Sequence, residues 1–366
     1  RGVRLSSMPV EGVVSRPPSG LRGVRLSSMP VEGVVSRPPP SITQRMCSPA
    51  KIRAPVRLCG SMSPDEAARG VAREGSTCRT HVSNVLTHAQ DGALMEFWVR
   101  FWGVRGSIAC PSPNHVRYGG NTSCLEVYAD GQSLILDAGT GIRNLGQSFL
   151  QRKINRADLL LTHTHWDHIN GFPFFTPAYA PDHHFTVWAG HLLDAGGVER
   201  VLAGQMARPT FPVPLSALQA DIDFKDFHAG ETFQLGKLTI RTAPLQHPDG
   251  ATGYRIEAGG RSFCYVTDTE HVPGSPDETI LALIDGADLV AYDSTYTDEE
   301  FPRHIGWGHS TWQEGVRLAQ RANVKQLAIF HHDPYHEDDF MDEVARQAKE
   351  TWDGAFVAVE GTTIHL

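Results

Sequence analysis

The chain has 366 residues, with 40% apolar and 20% charged side chains, enough to build one or two cored domains and too apolar for wholesale disorder. No run approaches the ~20 consecutive apolar residues that span a bilayer. The six cysteines form no C-x-x-C pair, which argues against a disulfide scaffold or a cysteine-held zinc.

In chain order, the first feature is a repeat. Residues 1–18, RGVRLSSMPVEGVVSRPP, recur unchanged at 22–39. Two copies are too few to stack a solenoid, and neither has helical or strand periodicity, so 1–94 reads as a basic, disordered extension rich in Pro, Ser and Arg. Charge marks the boundary. Residues 1–94 hold 13 Lys+Arg against 6 Asp+Glu, a net of +7; the remainder holds 20 against 35, a net of −15. The working domain is expected over 95–366, with Met95 a plausible natural start. Such an acidic domain suits a polyanion poorly, because phosphate contacts draw on clustered Lys and Arg.

Strand-like patterns follow at 97–102, 123–128, 133–136, 159–162, 185–189, 222–227, 237–242, 253–257, 262–266, 289–292, 326–330 and 355–359. Helical patterns lie at 279–285, 311–323 and 338–352, the last with Phe340, Val344 and Ala348 on one stripe. Many strands with fewer helices predict a mixed α/β (α+β) fold of two sheets covered by helices.

The decisive segment runs from Leu159 to Gly171. An apolar strand ends in His163, His165, Asp167 and His168 within six residues. Residues two apart on a strand share a face, so His163 and His165 can chelate one ion. After the turn, Asp167 and His168 address a neighbouring position. Mixed imidazole and carboxylate donors suit zinc, manganese or iron rather than calcium or magnesium. Solvated surface histidines would explain the pair His183-His184, but not this density at a strand end. Three later apolar segments also stop abruptly in His or Asp: at His247, at Asp268, and at His331-His332.

With these segments in this order, 95–366 resembles the metallo-β-lactamase-fold hydrolases. The resemblance implies a four-layer αββα sandwich binding two divalent metal ions, zinc before manganese or iron. It implies His163, His165 and His247 on one ion, Asp167, His168 and His331 on the other, and Asp268 bridging. Strand parity favours His331 over His332, which is then a supporting group. Asp137, in Leu134-Ile-Leu-Asp-Ala-Gly-Thr-Gly141, matches a residue that supports the metal loop. The lactamase signatures, a cysteine at position 268 and an arginine at 168, are absent. Thioesterase-like and single-iron sulfur dioxygenase members share the seven-residue pattern.

Gly306-Trp-Gly-His-Ser-Thr-Trp312, followed by a helix and the final ligand strand, resembles the phosphodiesterase branch that includes ribonuclease Z. That implies an activated water attacking phosphorus in line, with Asp167 or Asp268 accepting its proton and His309 stabilising the transition-state phosphate or protonating the leaving oxygen. The same segment also reads as a helix cap at Ser310. Asp293 is read as orienting His309 or His331, or as capping a turn. Arg105 could reach a phosphate or pair with an acidic neighbour. Ribonuclease Z-type enzymes grip transfer RNA with a basic arm, and none is seen here. The longest insertion, 205–215, is Pro-stiffened; it reads equally as a packed loop or as a lid with Phe211 stacking on a base. The expected partner is therefore a small phosphodiester, a cyclic nucleotide before transfer RNA, with membrane disfavoured and a homodimer left open. The expected location is cytoplasmic.

Overall fold

The computed structural model describes residues 95–366; the repeat and the rest of the predicted 1–94 extension lie outside the described residues. Among the described residues, fourteen strands form two seven-stranded sheets. The first sheet contains β1 (Phe97–Gly103), β2 (Cys124–Ala129), β3 (Gln132–Leu136), β4 (Arg156–Leu161), β5 (His184–Ala189), β6 (Asp221–Asp226) and, beside β1, β14 (Thr363–His365). The second runs β7 (Thr232–Leu235), β8 (Leu238–Leu245), β9 (Ala251–Ala258), β10 (Arg261–Val266), β11 (Leu289–Asp293), β12 (Leu327–Phe330) and β13 (Ala355–Val357). Each sheet has three antiparallel pairings followed by three parallel ones.

Alternation in the sequence explains the layering. In β1, Phe97, Val99 and Phe101 are buried while Trp98, Arg100 and Trp102 are half-exposed. The buried set meets Tyr254, Phe263, Tyr265 and Phe330 of the second sheet in an inter-sheet core. The outer face of the first sheet packs on α1 (Ile142–Arg152) and α3 (Val198–Gln205). The outer face of the second packs on α4 (Glu278–Ile284), α5 (Trp312–Arg321) and α6 (Asp338–Thr351). A helix with one apolar stripe must cover a sheet to bury it, and these do. The architecture is the αββα sandwich expected.

Two local readings need correction, and two left open are decided. The buried stripe of α6 is Met341, Val344 and Ala348, while Phe340 is exposed and stacks on His336. The cap of α5 is Thr311, whose hydroxyl accepts from the Glu314 N–H, not Ser310. Segment 205–218 is a packed loop: Phe211, Leu215 and Leu218 rest on the outer core of the first sheet. Arg105 is fully buried, donates to the carbonyls of Gly119, Asp333 and His336 and lies 3.9 Å from Asp338 Oδ1, so of its two readings the acidic-neighbour one holds and it cannot meet substrate. Among the described residues no helix is long and apolar enough to cross a membrane.

β3 and β4 are parallel neighbours, as are β10, β11 and β12, so within each sheet their C-terminal ends share an edge. Asp137, His163, Asp268, Asp293 and His331 all sit at or just beyond those ends. Open sheets gather ligands at such an edge.

Candidate metal centre

β4 ends at Leu161, and the next turn carries His163, His165 and the short helix α2 (Trp166–Ile169), which holds Asp167 and His168. Loops after β8, β10 and β12 bring in His247, Asp268 and His331. One group of donor atoms comprises His163, His165 and His247; a second comprises Asp167, His168, Asp268 and His331, each set within 4.8 Å. The Asp268 carboxylate touches both. Its Oδ1 lies 3.7 Å from His163 Nε2 and 3.8 Å from His247 Nε2, and its Oδ2 lies 3.2 Å from His168 Nε2 and 3.4 Å from His331 Nε2. All seven residues singled out for metal therefore converge.

The donor chemistry fits cations. His247 Nε2 faces His165 Nδ1 at 3.0 Å, and His168 Nε2 faces His331 Nε2 at 3.3 Å. The other ring nitrogens are committed elsewhere: His247 Nδ1 donates to the Gly308 carbonyl (2.7 Å), His168 Nδ1 to Asp137 (2.8 Å) and His331 Nδ1 to the Thr295 hydroxyl (3.0 Å). These ring nitrogens thus face one another across the centre, as donors converging on an ion would. His163 Nε2 is buried without any hydrogen-bond partner. Burial, reinforced by the neighbouring His168 charge, holds His163 well below the ordinary histidine range, leaving that nitrogen a bare lone pair. A buried imidazole with nothing to bind is costly unless an ion takes it.

The supporting groups are equally specific. Asp137 accepts from His168 Nδ1, the Thr162 N–H (2.8 Å) and the Tyr265 hydroxyl (2.9 Å). Asp167 accepts from the Ser107 N–H at 2.8 Å. Gly106 and Gly308 are required by crowding: a Cβ would stand 2.3 Å from His331 Cε1 at the first and 2.4 Å from His247 Nδ1 at the second. Asp137, Asp268 and His331 all adopt left-handed backbone, φ 60–62°, uncommon for side-chain-bearing residues. Thr295, Tyr265 and Ser107 escaped the sequence reading. Only Tyr265 left a trace, a hydroxyl inside an otherwise apolar strand. Replacing Asp137 by Ala should lower metal affinity about 10–100-fold, the usual loss when a ligand's hydrogen-bonded support goes; titration with a competing chelator reads this directly.

His332 faces away. It is buried, its Nε2 meets the Ala358 carbonyl at 2.9 Å, and burial lowers its pKa to about 3. His331, just past the end of β12 and in left-handed backbone, joins the cluster, while His332 packs behind it.

His309 stands on the wall of the centre. Its Nδ1 is 3.0 Å from Asp293 Oδ2 and 3.8 Å from Asp268 Oδ1, and its ring lies 5.0 Å from that of His331. Burial disfavours its charge, but the Asp293 carboxylate, hydrogen-bonded to it, outweighs that and raises its pKa to about 9. Asp293 is itself fixed by the Thr269 and Thr295 N–H groups. The buried cysteines Cys110, Cys124 and Cys264 are free thiols and take no part in either donor group.

Residues 132–332 match the family model of the beta-lactamase superfamily domain. Among curated relatives, a ribonuclease Z from Bradyrhizobium sp. (strain ORS 278) is 27% identical over 284 residues, covering 64% of this chain and 89% of that protein. Among solved structures, the metallo-beta-lactamase fold protein YhfI from Bacillus subtilis aligns at TM-score 0.57 and 18% identity, covering 74% of this chain and 99% of that one. The short form of human tRNase Z aligns at TM-score 0.51 and 18% identity, covering 73% and 98%. The matched region spans more than half of the chain and contains the whole His/Asp cluster, so this chain belongs to the beta-lactamase superfamily, as a metal-dependent hydrolase of metallo-beta-lactamase fold that resembles ribonuclease Z.

Proposed function

We propose that the chain is a dinuclear metal-dependent phosphodiesterase acting on a small phosphodiester, with a cyclic nucleotide its preferred class of substrate and zinc its preferred metal. The observation that carries this is the Asp293–His309 pair, set 3.0 Å apart on the wall of a seven-donor His/Asp centre. His163, His165 and His247 would hold one ion; Asp167, His168 and His331 the other; Asp268 would bridge. Divalent ions there supply Lewis acidity and make a water acidic enough to be a nucleophile at neutral pH. Asp167 and Asp268 are the carboxylates placed to receive its proton. His309, protonated and aimed by Asp293, would give a proton to the departing oxygen, as general acids do. A thioester's thiolate leaves without such an acid, whereas an alkoxide does not.

The net charge of −15 over 95–366 supports a small substrate over a polynucleotide, since little counter-charge is available for a phosphate backbone. Processing of RNA 3′ ends is the second reading, favoured by relatives that bear the name ribonuclease Z. Purified full-length protein should hydrolyse bis(p-nitrophenyl) phosphate and at least one cyclic mononucleotide faster than it trims precursor transfer RNA. Chelation should remove activity by about 1,000-fold or more and lower the melting temperature, because an ion that binds only the folded state stabilises it by RT ln(1 + [L]/Kd). Zinc or manganese should restore both. Metal-replete protein inert toward every phosphodiester yet active on thioesters would refute the proposal.

A further inference from the structure

Two exposed tryptophans are left unexplained by the centre itself. Of the seven tryptophans, all within the described residues, only Trp166 and Trp307 are exposed, at 80% and 62%. Trp166 lies between His165 and Asp167. Trp307 immediately precedes Gly308, whose carbonyl receives His247 Nδ1. An aromatic ladder joins Trp307 to the wall of the site: its ring is 5.0 Å from that of His304, His304 stacks on Tyr296 at 4.1 Å, and Tyr296 stands 6.1 Å from His309. Other metal-site loops also carry bare apolar groups. Ile108 follows Ser107, the donor to Asp167, and Tyr335 lies four residues beyond His331; they are 62% and 90% exposed. Apolar side chains exposed on the loops that carry the donors and their supports are available to a ligand or partner.

We propose that Trp166 and Trp307 are specificity-determining residues that form a stacking platform for the nucleobase of a nucleoside-bearing phosphodiester. The inference rests on the phosphodiesterase reading and adds to it the source of substrate affinity. An acidic domain cannot draw in its substrate by charge alone, whereas an indole face attracts any base, because every base presents a π surface. Trp166 sits between two donor residues and Trp307 is linked through His304 and Tyr296 to His309, so each is placed to meet the base of a phosphodiester held at the cluster. A second copy of the chain seated on both faces is the rival occupant. It would cover the loops by which substrate reaches the cluster.

The test compares thymidine 5′-(p-nitrophenyl phosphate) with methyl p-nitrophenyl phosphate, which share leaving group and chemistry and differ in the nucleoside. In full-length wild-type enzyme the kcat/KM ratio should favour the nucleoside diester. W166A and W307A should each shrink that ratio about 5- to 150-fold, the span of about 1–3 kcal/mol per stacked base. W166F and W307F should restore most of it. In chelated protein, thymidine 5′-monophosphate should quench tryptophan fluorescence, and each alanine variant should reduce the quenching. A wild-type ratio near one, or a ratio unmoved in both alanine variants, overturns the platform. So does a change of mass in sedimentation without a change of ratio, which would assign the faces to a second copy. If neither diester turns over while quenching persists, the phosphodiesterase reading fails and the platform stands.

Discussion

Replacing Asp268 with Asn should lower phosphodiester turnover by about three orders of magnitude and leave the protein folded with less than its full complement of metal. Asn keeps the shape of the side chain and its hydrogen bond to the Thr267 hydroxyl, made at 2.8 Å. It loses the charge. Asp268 is the carboxylate whose two oxygens address the two donor groups separately, His163 and His247 through one and His168 and His331 through the other. Burial works against its ionisation, yet the surrounding imidazoles, His168 foremost, hold its pKa well below the ordinary carboxylate range. A neutral amide there would withdraw the counter-charge that Asp268 would offer to the proposed pair of cations. A loss of several kcal/mol in transition-state stabilisation corresponds to about 1,000-fold in rate. Elemental analysis beside kinetics decides the matter: D268N with wild-type metal content and more than a tenth of wild-type activity would remove Asp268 from the bridging position.

The second large effect concerns His309. H309A should cost about 100- to 10,000-fold in kcat toward a cyclic nucleotide, the usual contribution of a general acid, with metal content unchanged. The loss should depend on the leaving group. An alkoxide requires a proton as it departs, whereas p-nitrophenolate does not, so bis(p-nitrophenyl) phosphate should suffer far less. A purely structural His309 would slow both substrates alike. D293N should reproduce the pattern more weakly, because Asp293 acts through His309 by holding its ring at 3.0 Å and favouring its charged form. Equal losses on both substrates would sink the acid assignment while sparing the metal centre.

Strands were the more legible part of the fold. Each of the twelve predicted strands overlaps one in the structure, because apolar–polar alternation is written wherever a strand separates core from surface. The two missed strands, β7 and β14, are short edge strands whose side chains are mostly half-exposed or exposed. The missed helix α1 begins at Gly141 without a side-chain cap and contains Gly146; packing of Ile142, Leu145 and Phe149 on the first sheet sustains it against poor local propensity. At the site, donors were visible because an apolar run that halts in His or Asp contradicts its own burial pattern. What supports the donors was not. The Gly308 carbonyl, the Thr295 hydroxyl and the Tyr265 hydroxyl become partners only through contacts between distant segments, which no local spacing encodes.

The left-handed backbone at Asp137, Asp268 and His331 has an energetic corollary. Each such residue costs the folded state about 1–3 kcal/mol, and glycine would occupy the same conformation without penalty. Glycine at position 137 would relieve that strain but strand the buried Thr162 N–H and Tyr265 hydroxyl that the carboxylate receives. Backbone strain and buried side-chain contacts are thus tied together at one sheet edge, so neither can be removed there without the other.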